Sequence, residues 1–377
     1  MSKFVKNSLV IVVMTSLLLT GVMTMSMSQR SFAQLLPKQM QTPGQTSING
    51  AGATFPFPLI DTWRVEYQKV KPDVNINYQS IGSGGGVKQF TAKTVDFGAS
   101  DAPLTAAERA KAPGTIHVPE TIGSVVAAYN IPGIPAKGLK LTGPVLADIF
   151  SGKIKKWNDP QIQSLNPDKK LPDANIVTVH RSDGSGTTFV WTNYLSKASP
   201  EFNQTIGASK SVQWPTGVGA PGNEGVANAI KGSPNTIGYI EQNYALKTNT
   251  PYAFVKNSAG QFVEPTLESV KLAATDVASK GLPKGDASWE KVSLLNDNKP
   301  GAYPIGSFTY LLIPKDLGKS PNMNEAKAKS LVDFIKWAIT DGQKFSSNLG
   351  YVPLPDQVVK LNQDSLKSLT FNGKPIQ

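Results

Sequence analysis

Three glycine-rich segments, each placed directly before a helical pattern, constrain this chain more than any other feature of its sequence. They are GAGATFPFP at Gly50 to Pro58, IGSGGGVKQF at Ile81 to Phe90, and RSDGSGTTFVWTNYL at Arg181 to Leu195. A helix start leaves several backbone N–H groups without partners, and its dipole places partial positive charge there. Neighbouring glycines let an anion approach that backbone closely. Thr54, Ser83, Ser185 and Thr187 add hydroxyl donors at the same turns. Any one segment also reads as an ordinary N-capped helix after a tight turn, because Ser, Thr and Asp are the usual caps. Converging on one cleft, the three would form a cage of neutral donors suited to a tetrahedral oxyanion.

Nucleotide-binding readings of these glycines fail on detail. Gly82 to Lys88 lacks the Gly-Lys-Ser/Thr ending of a phosphate loop, and the GAGATF and GSGTTF runs miss the third glycine of a dinucleotide fingerprint. Gly217, Gly219 and Gly222 do match G-x-G-x-x-G, but Trp214 and Pro215 interrupt any strand leading into them, so they read as a surface or cleft-edge loop.

Around these segments strands and helices alternate. Ile60, Trp63, Tyr67 and Val70 fall at helical spacing, and Val74, Ile76 and Tyr78 then alternate with Asn75, Asn77 and Gln79 as in a strand. Apolar strand-like runs follow at Val125 to Ile131, Ile176 to Val179, Thr236 to Ile240 and Phe308 to Ile313. Helical patterns occupy Val145 to Phe150, Thr187 to Leu195, Glu224 to Ile230 and Glu325 to Phe345, the last with Leu331, Phe334, Ile335 and Ala338 on one stripe. This rhythm predicts an α/β fold. With 377 residues, 40% of them hydrophobic, two lobes are expected. No tandem repeat is present, which excludes solenoid architectures.

At the N-terminus, Lys3 and Lys6 precede an apolar run from Leu9 to Leu19, and Ser31, Phe32 and Ala33 form a small-x-small cleavage pattern. This predicts a secretory signal peptide over 1–33. An uncleaved anchor is the alternative, disfavoured because Ser and Thr dilute the run. Residues 34–46, QLLPKQMQTPGQT, read as a flexible spacer, with folded structure starting near Ser47. Loss of Lys3, Lys6 and Arg30 takes the formal charge from +11 to +8. The remaining cations are scattered among acids without a basic run, so weak steering of a small anion is expected and nucleic acid is not. The chain has no Cys and only two histidines, His117 and His180, so a disulfide framework, a lipidated Cys, a thiol nucleophile and a His-rich metal site are all excluded. His180 ends an apolar strand, where a packing role suffices.

Taken together, GAGATFP, IGSGGGVKQF, TVDFGASDAPL, SGKIKKWNDP, DGSGTTFVWTNYL and IGYIE resemble the phosphate-binding proteins of bacterial high-affinity phosphate ABC transporters, in order from about Ile48 to the C-terminus. The resemblance implies a type II periplasmic binding protein fold: two α/β domains joined by a two-segment hinge, with the ligand cleft between them. The first domain would be discontinuous, 47–122 with 307–377, and the second would span 123–306. The β-rich runs at Ile122 to Ala128 and Ile305 to Tyr310 stand where two hinge segments should cross. It further implies a monomer exported to the periplasm that binds inorganic phosphate without cofactor, metal or catalysis. Its other partners would be the transporter's permease subunits with their cytoplasmic ATPase.

Carried over by position, the implied phosphate ligands are Thr54 and the backbone N–H of Phe55, then Ser83, with Asp101 as acceptor. From the other lobe come Arg181 as the charged clamp and Ser185, Gly186 and Thr187 as hydroxyl and backbone donors. Asp183 would orient Arg181, or cap the following helix, or both. Gly84 stands where many relatives carry a second Ser, and Ser182 where Ala is common; neither is a direct ligand in the family pattern. Asp101 would decide specificity, because a buried carboxylate tolerates an oxyanion only if a ligand proton lies between them. Phosphate near neutral pH has such a proton and sulfate has none, a difference that polar sites convert into discrimination of roughly 10⁴–10⁵. The alternative to this role is a cap on a helix over Thr105 to Ala110. A secreted phosphatase and a binding protein for another oxyanion are the alternative functions.

Overall fold

The computed structural model describes residues 44–134 and 136–376 of the 377. The expected signal peptide and all but the end of the expected spacer lie outside the described residues. The spacer's last residue, Thr46, already belongs to the first strand.

The main sheet has eight strands: β1 (Thr46–Gly52), β2 (Val74–Ser80), β3 (Phe97–Ser100), β4 (Thr115–Asn130), β5 (Val177–Arg181), β6 (Val218–Ala220), β7 (Thr236–Glu241) and β8 (Gly306–Pro314). Their order is β2-β1-β3-β8-β4-β7-β5-β6. Strands β2, β1 and β3 are mutually parallel, as are β7, β5 and β6, while β8 and β4 join the two triplets through antiparallel pairings. Parallel neighbours need crossover connections. Helices stand in the connections within each triplet, among them α1 (Phe57–Val70), α2 (Ser83–Thr91), α4 (Gly186–Ala198) and α5 (Gly222–Gly232), while α3 (Ala106–Lys111) follows β3 and α6 (Glu325–Ala338) follows β8 and packs against β1. The fold is therefore α/β, as the alternating pattern predicts. Among the described residues no helix is long and apolar enough to cross a membrane.

β4 explains how the two triplets become one sheet. From Thr115 to Ser124 it pairs with β8, and from Val125 to Asn130 with β7, in a single 16-residue strand. Val125, Ala127 and Tyr129 join the main core, whereas Val126 and Ala128 pack with Val179, Val226, Ile230 and Ile240 on the opposite face. A strand covered on both faces reads as a continuous apolar run rather than an alternation, which is what the sequence from Val125 to Ile131 presents. β8 carries a register shift between Thr309 and Tyr310.

Two helical expectations are corrected by packing. Val70 is 56% exposed: it is the last residue of α1, and the buried stripe ends at Tyr67. The pattern from Glu325 to Phe345 is not one helix, because α6 stops at Ala338 and a 3-10 turn covers Asp341–Phe345. The break turns the Gly342 carbonyl toward α1, where it accepts the Trp63 indole N–H at 2.8 Å. Trp63 is fully buried, and this hydrogen bond satisfies its indole N–H in the interior. Trp63→Ala is expected to lower unfolding free energy by about 3–5 kcal/mol in urea titrations, and Trp63→Phe by less, since it keeps most of the volume but orphans the Gly342 carbonyl.

Candidate functional site

Every residue implicated from sequence stands at or just past the carboxyl end of a parallel strand, where open α/β sheets bind ligands. Thr54 and Phe55 follow β1; Ser83 opens α2 after β2; Asp101 follows β3 directly. Arg181 is the last residue of β5, Asp183 lies in the turn beyond it, Ser185 caps α4, and Gly186 and Thr187 are its first two residues. Because the two triplets point their carboxyl ends at one another across β8 and β4, segments more than a hundred residues apart meet. All of them but Asp183 are buried, and the Arg181 side chain is only 1% exposed.

The convergence is close. The Ser83 hydroxyl accepts from the Asp101 backbone N–H at 3.2 Å and lies 3.4 Å from Asp101 Oδ2. A methyl group at Gly186 would come within 2.3 Å of Asp101 Oδ2 and 2.4 Å of Ser83 Oγ, so only glycine lets α4 begin there. The Gly84 N–H donates to the Gly184 carbonyl at 2.8 Å, and a side chain at Gly84 would meet the Gly184 Cα at 2.9 Å. The Gly84 departure from the family pattern thus coincides with a backbone contact between the second and third motifs. Gly186 and Thr187 occupy the first turn of α4, where N–H groups have no helical acceptor.

Sequence reasoning misses two parts of this assembly. Asn223, fully buried near the start of α5, donates from Nδ2 to Thr54 Oγ1 at 2.8 Å and to Thr187 Oγ1 at 3.2 Å, tying the first motif to the third. The Gly217–Gly222 stretch, expected as a surface or cleft-edge loop, instead contains the edge strand β6, whose pairing with β5 outweighs the weak strand propensity of its glycines. Gly217 and Gly219 are exposed, and the strand leads into a fourth junction with a helix start. That repetition of glycine before a helix was the available signal. The second part comprises Thr309 of β8 and Glu120 of β4, which sit behind Asp101. Thr309 Oγ1 lies 2.9 Å from Asp101 Oδ1 and 3.3 Å from Glu120 Oε1. Both are interior strand positions without a motif to mark them.

Charge is distributed unevenly. The Asp183 carboxylate takes Arg181 Nε at 2.8 Å and Nη2 at 2.5 Å, and also accepts the Gly222 N–H at 3.0 Å. Partial burial raises the Asp183 pKa, but Arg181 outweighs it and holds the group below its usual value. Arg181 Nη1 lies 3.4 Å from Thr187 Oγ1, so one N–H on each terminal nitrogen remains for a bidentate contact. Helix capping falls to Ser185, whose hydroxyl accepts from the Thr188 N–H; Asp183 orients Arg181 instead. Asp101 does not cap α3 either, because Thr105 and Glu108 form a reciprocal capping box there. Burial pushes Asp101 up to about 7, against the opposing effects of Thr309, Arg181 and Ser83. Glu120 and Glu241, also fully buried, are raised well above the carboxylate range by the same desolvation.

The histidines stay apart from this cluster. His117 accepts the Leu104 N–H on Nε2 and is lowered to about 4 by burial, while His180 stacks on Trp214. Among the described residues no group of three or more His, Cys, Asp or Glu is arranged to hold a metal ion. A cavity of about 300 Å³ reaches Asp101 past Pro103, Phe189, Asn193 and Tyr310. A larger one of about 480 Å³, lined by Lys155, Asn175 and Thr216 among others, contains none of the converging residues.

The family model for the PBP superfamily domain matches residues 37–341. The phosphate-binding protein PstS of Xylella fastidiosa (strain Temecula1) is 45% identical over 329 residues, covering 86% of each chain. That of Methanocaldococcus jannaschii is 39% identical over 346 residues, covering 88% of this chain and 89% of its own. The chain belongs to the PstS family. Solved structures agree on the fold: PfluDING, a high-affinity periplasmic phosphate-binding protein bound with phosphate, superposes with a TM-score of 0.62 at 22% identity, covering 84% of this chain and 92% of its own. An ABC-type phosphate transport receptor from Vibrio cholerae gives 0.52 at 17% identity, covering 82% and 100%. The architecture of this PstS-family member is thus the type II periplasmic binding protein fold.

The raised Asp101 pKa makes the site a source of instability at neutral pH. A carboxyl at about 7 in the folded chain, against an ordinary 3.8, contributes stability that is present below about pH 4 and lost as pH rises through about 7. Asp101→Asn removes that titration. In anion-free buffer the variant should melt above the parent at pH 8, by a margin on the order of 4 kcal/mol at most, and the margin should shrink steadily toward pH 4. A difference between the two proteins that is constant with pH would refute the assignment.

Proposed function

We propose that this chain captures inorganic phosphate among the converging strand ends and delivers it to the permease of an ABC transporter for import. The observation that carries this is the pairing of a buried Arg181, with two N–H groups to spare, against a buried Asp101 across helix starts rich in neutral donors. Arg181 and the N–H groups of Phe55, Gly186 and Thr187 favour an oxyanion, with the Thr54, Ser83, Ser185 and Thr187 hydroxyls around it. Asp101 restricts the choice to an oxyanion that brings its own proton. The names of the curated relatives support the same ligand.

Closure of two lobes fits this task. We assign 47–122 with 307–377 to one lobe and 123–306 to the other, with β4 and β8 as the crossing segments. Gly285 to Trp289 depart from that boundary, since the Gly285 and Ala287 carbonyls accept from His117 and Arg109 of the first lobe. The Gly84–Gly184 and Thr54–Asn223 bonds would then form on closure, and water excluded from the cleft would strengthen each contact to the anion. The chain acts as a carrier rather than an enzyme, a reading supported by the phosphate-binding names of its curated relatives. It works as a periplasmic monomer whose closed form the permease and its cytoplasmic ATPase read.

Two measurements test the proposal. By calorimetry Arg181→Ala and Asp101→Ala should each weaken phosphate binding at least roughly 30-fold, as loss of a buried charged partner does, while circular dichroism stays that of the parent. Unchanged affinity in both would remove the site assignment. Sulfate should compete measurably only where Asp101 holds its own proton. Its affinity is expected to fall about ten-fold per pH unit above pH 7 and to level off below it, whereas phosphate should vary far less between pH 6 and 8.5.

A further inference from the structure

We propose that Glu120 is a neutral hydrogen-bond donor that works through Thr309 to orient Asp101 and set which protonation state of the anion the cleft accepts. The inference rests on the phosphate-binding reading and adds a positioning residue to it.

Donor counting carries the case. Thr309 has one hydroxyl hydrogen but two carboxyl oxygens within reach, Asp101 Oδ1 at 2.9 Å and Glu120 Oε1 at 3.3 Å. It donates to the nearer one, on the group that faces the cleft. The contact to Glu120 is then satisfied only if Glu120 is the donor, with its proton on Oε1. An ionised Glu120 would instead set its Oε1 against the lone pairs of a hydroxyl already committed elsewhere. Its second oxygen, Oε2, is buried without a partner. That is tolerable for a carbonyl oxygen of a neutral acid and costly for half of a carboxylate. The titration environment agrees: burial and the Asp101 charge raise Glu120, and Thr309 alone lowers it. Tyr78 also faces it and gives its hydroxyl to the Ala53 carbonyl. The Glu120 backbone carbonyl is held by Gln343 Nε2 at 3.0 Å, which fixes the strand under the side chain.

The geometry yields a directed chain: the Glu120 O–H donates to Thr309 Oγ1, and the Thr309 O–H donates to Asp101 Oδ1. Asp101 Oδ2, beside Ser83 and Gly186, is left to accept the ligand proton. Hydrogen bonds in series polarise one another, so the chain strengthens Thr309 as a donor and holds Asp101 ionised at a lower pH than burial alone would allow. Arg181 and Ser83 act in the same direction, and the Asp101 charge in turn raises Glu241, Tyr78, Tyr310 and Tyr351, the other titratable groups facing it.

The test uses the full mature chain and inorganic phosphate, by calorimetry from pH 6 to 8.5. Thr309→Val, which keeps shape but removes the hydroxyl, and Glu120→Leu should each weaken phosphate by about ten-fold. Thr309→Ser and Glu120→Gln, which restore a hydroxyl or a neutral donor, should recover most of that loss. In Thr309→Val the pH below which sulfate competes should also move upward, a shift that mere loss of packing does not produce. Infrared spectra at pH 8 should contain a protonated-carboxyl C=O band, distinct from any that Glu241 gives and identified with a Glu241→Gln control, that disappears in Glu120→Gln. Parent-like affinity in Thr309→Val, a Glu120→Gln no better than Glu120→Leu, or absence of that band would overturn the inference. If Glu120→Leu does not fold, the Thr309 pair and the infrared band decide. If the parent chain itself fails to bind phosphate, it is the proposed function that falls.

Discussion

A carboxylate buried opposite a buried guanidinium, Asp101 and Arg181, is the constraint on which this molecule is organised. Isolated, each charge would be expelled from the interior or neutralised. Arg181 is retained because Asp183 grips one side of it and leaves the other end free. Asp101 is retained because Thr309, Arg181 and Ser83 partly offset its desolvation, though not enough to keep it an ordinary acid. The result is a carboxyl whose ionised form is disfavoured where it stands, a cost that the proposed guest, an anion bearing its own proton, would offset.

The fold places these charges at strand ends. Two parallel triplets of strands present their carboxyl ends to a shared space, and each end runs directly into a helix start. Glycine appears where backbones touch, at Gly186 against Asp101 and at Gly84 against Gly184, since any side chain there would hold the segments apart. The two antiparallel strands between the triplets, β4 and β8, join them into one sheet, and they also carry Glu120 and Thr309 behind the carboxylate. Support for the Asp101 cluster and the join between the triplets are therefore built from the same two strands.

Much of this was legible in the residues. Helix starts after glycine-rich turns identify Thr54, Ser83, Ser185 and Thr187, because loop-to-helix chemistry is local and needs only a few adjacent residues. The strand pattern of Val74 to Tyr78 and the helix around Trp63 are read from periodicity for the same reason. What escaped reading is non-local. Asn223 bridges Thr54 and Thr187 from sequence positions 169 and 36 residues away, and no spacing rule connects them. After α6 ends at Ala338, the Gly342 carbonyl accepts the indole N–H of Trp63 in α1, a contact between residues 279 apart that periodicity cannot report.

The sequence by itself determined the α/β rhythm, the three anion-friendly helix starts and, by its lack of Cys and scarcity of His, the chemistry that was unavailable. These follow from properties of neighbouring residues, which propensity and periodicity report. Only the tertiary structure decided that the helix starts face one another, that a fourth joins them, and that Asp101 is backed by Thr309 and Glu120. Those facts depend on burial and on contacts between distant segments, and a residue's desolvation has no value until the rest of the chain has closed around it.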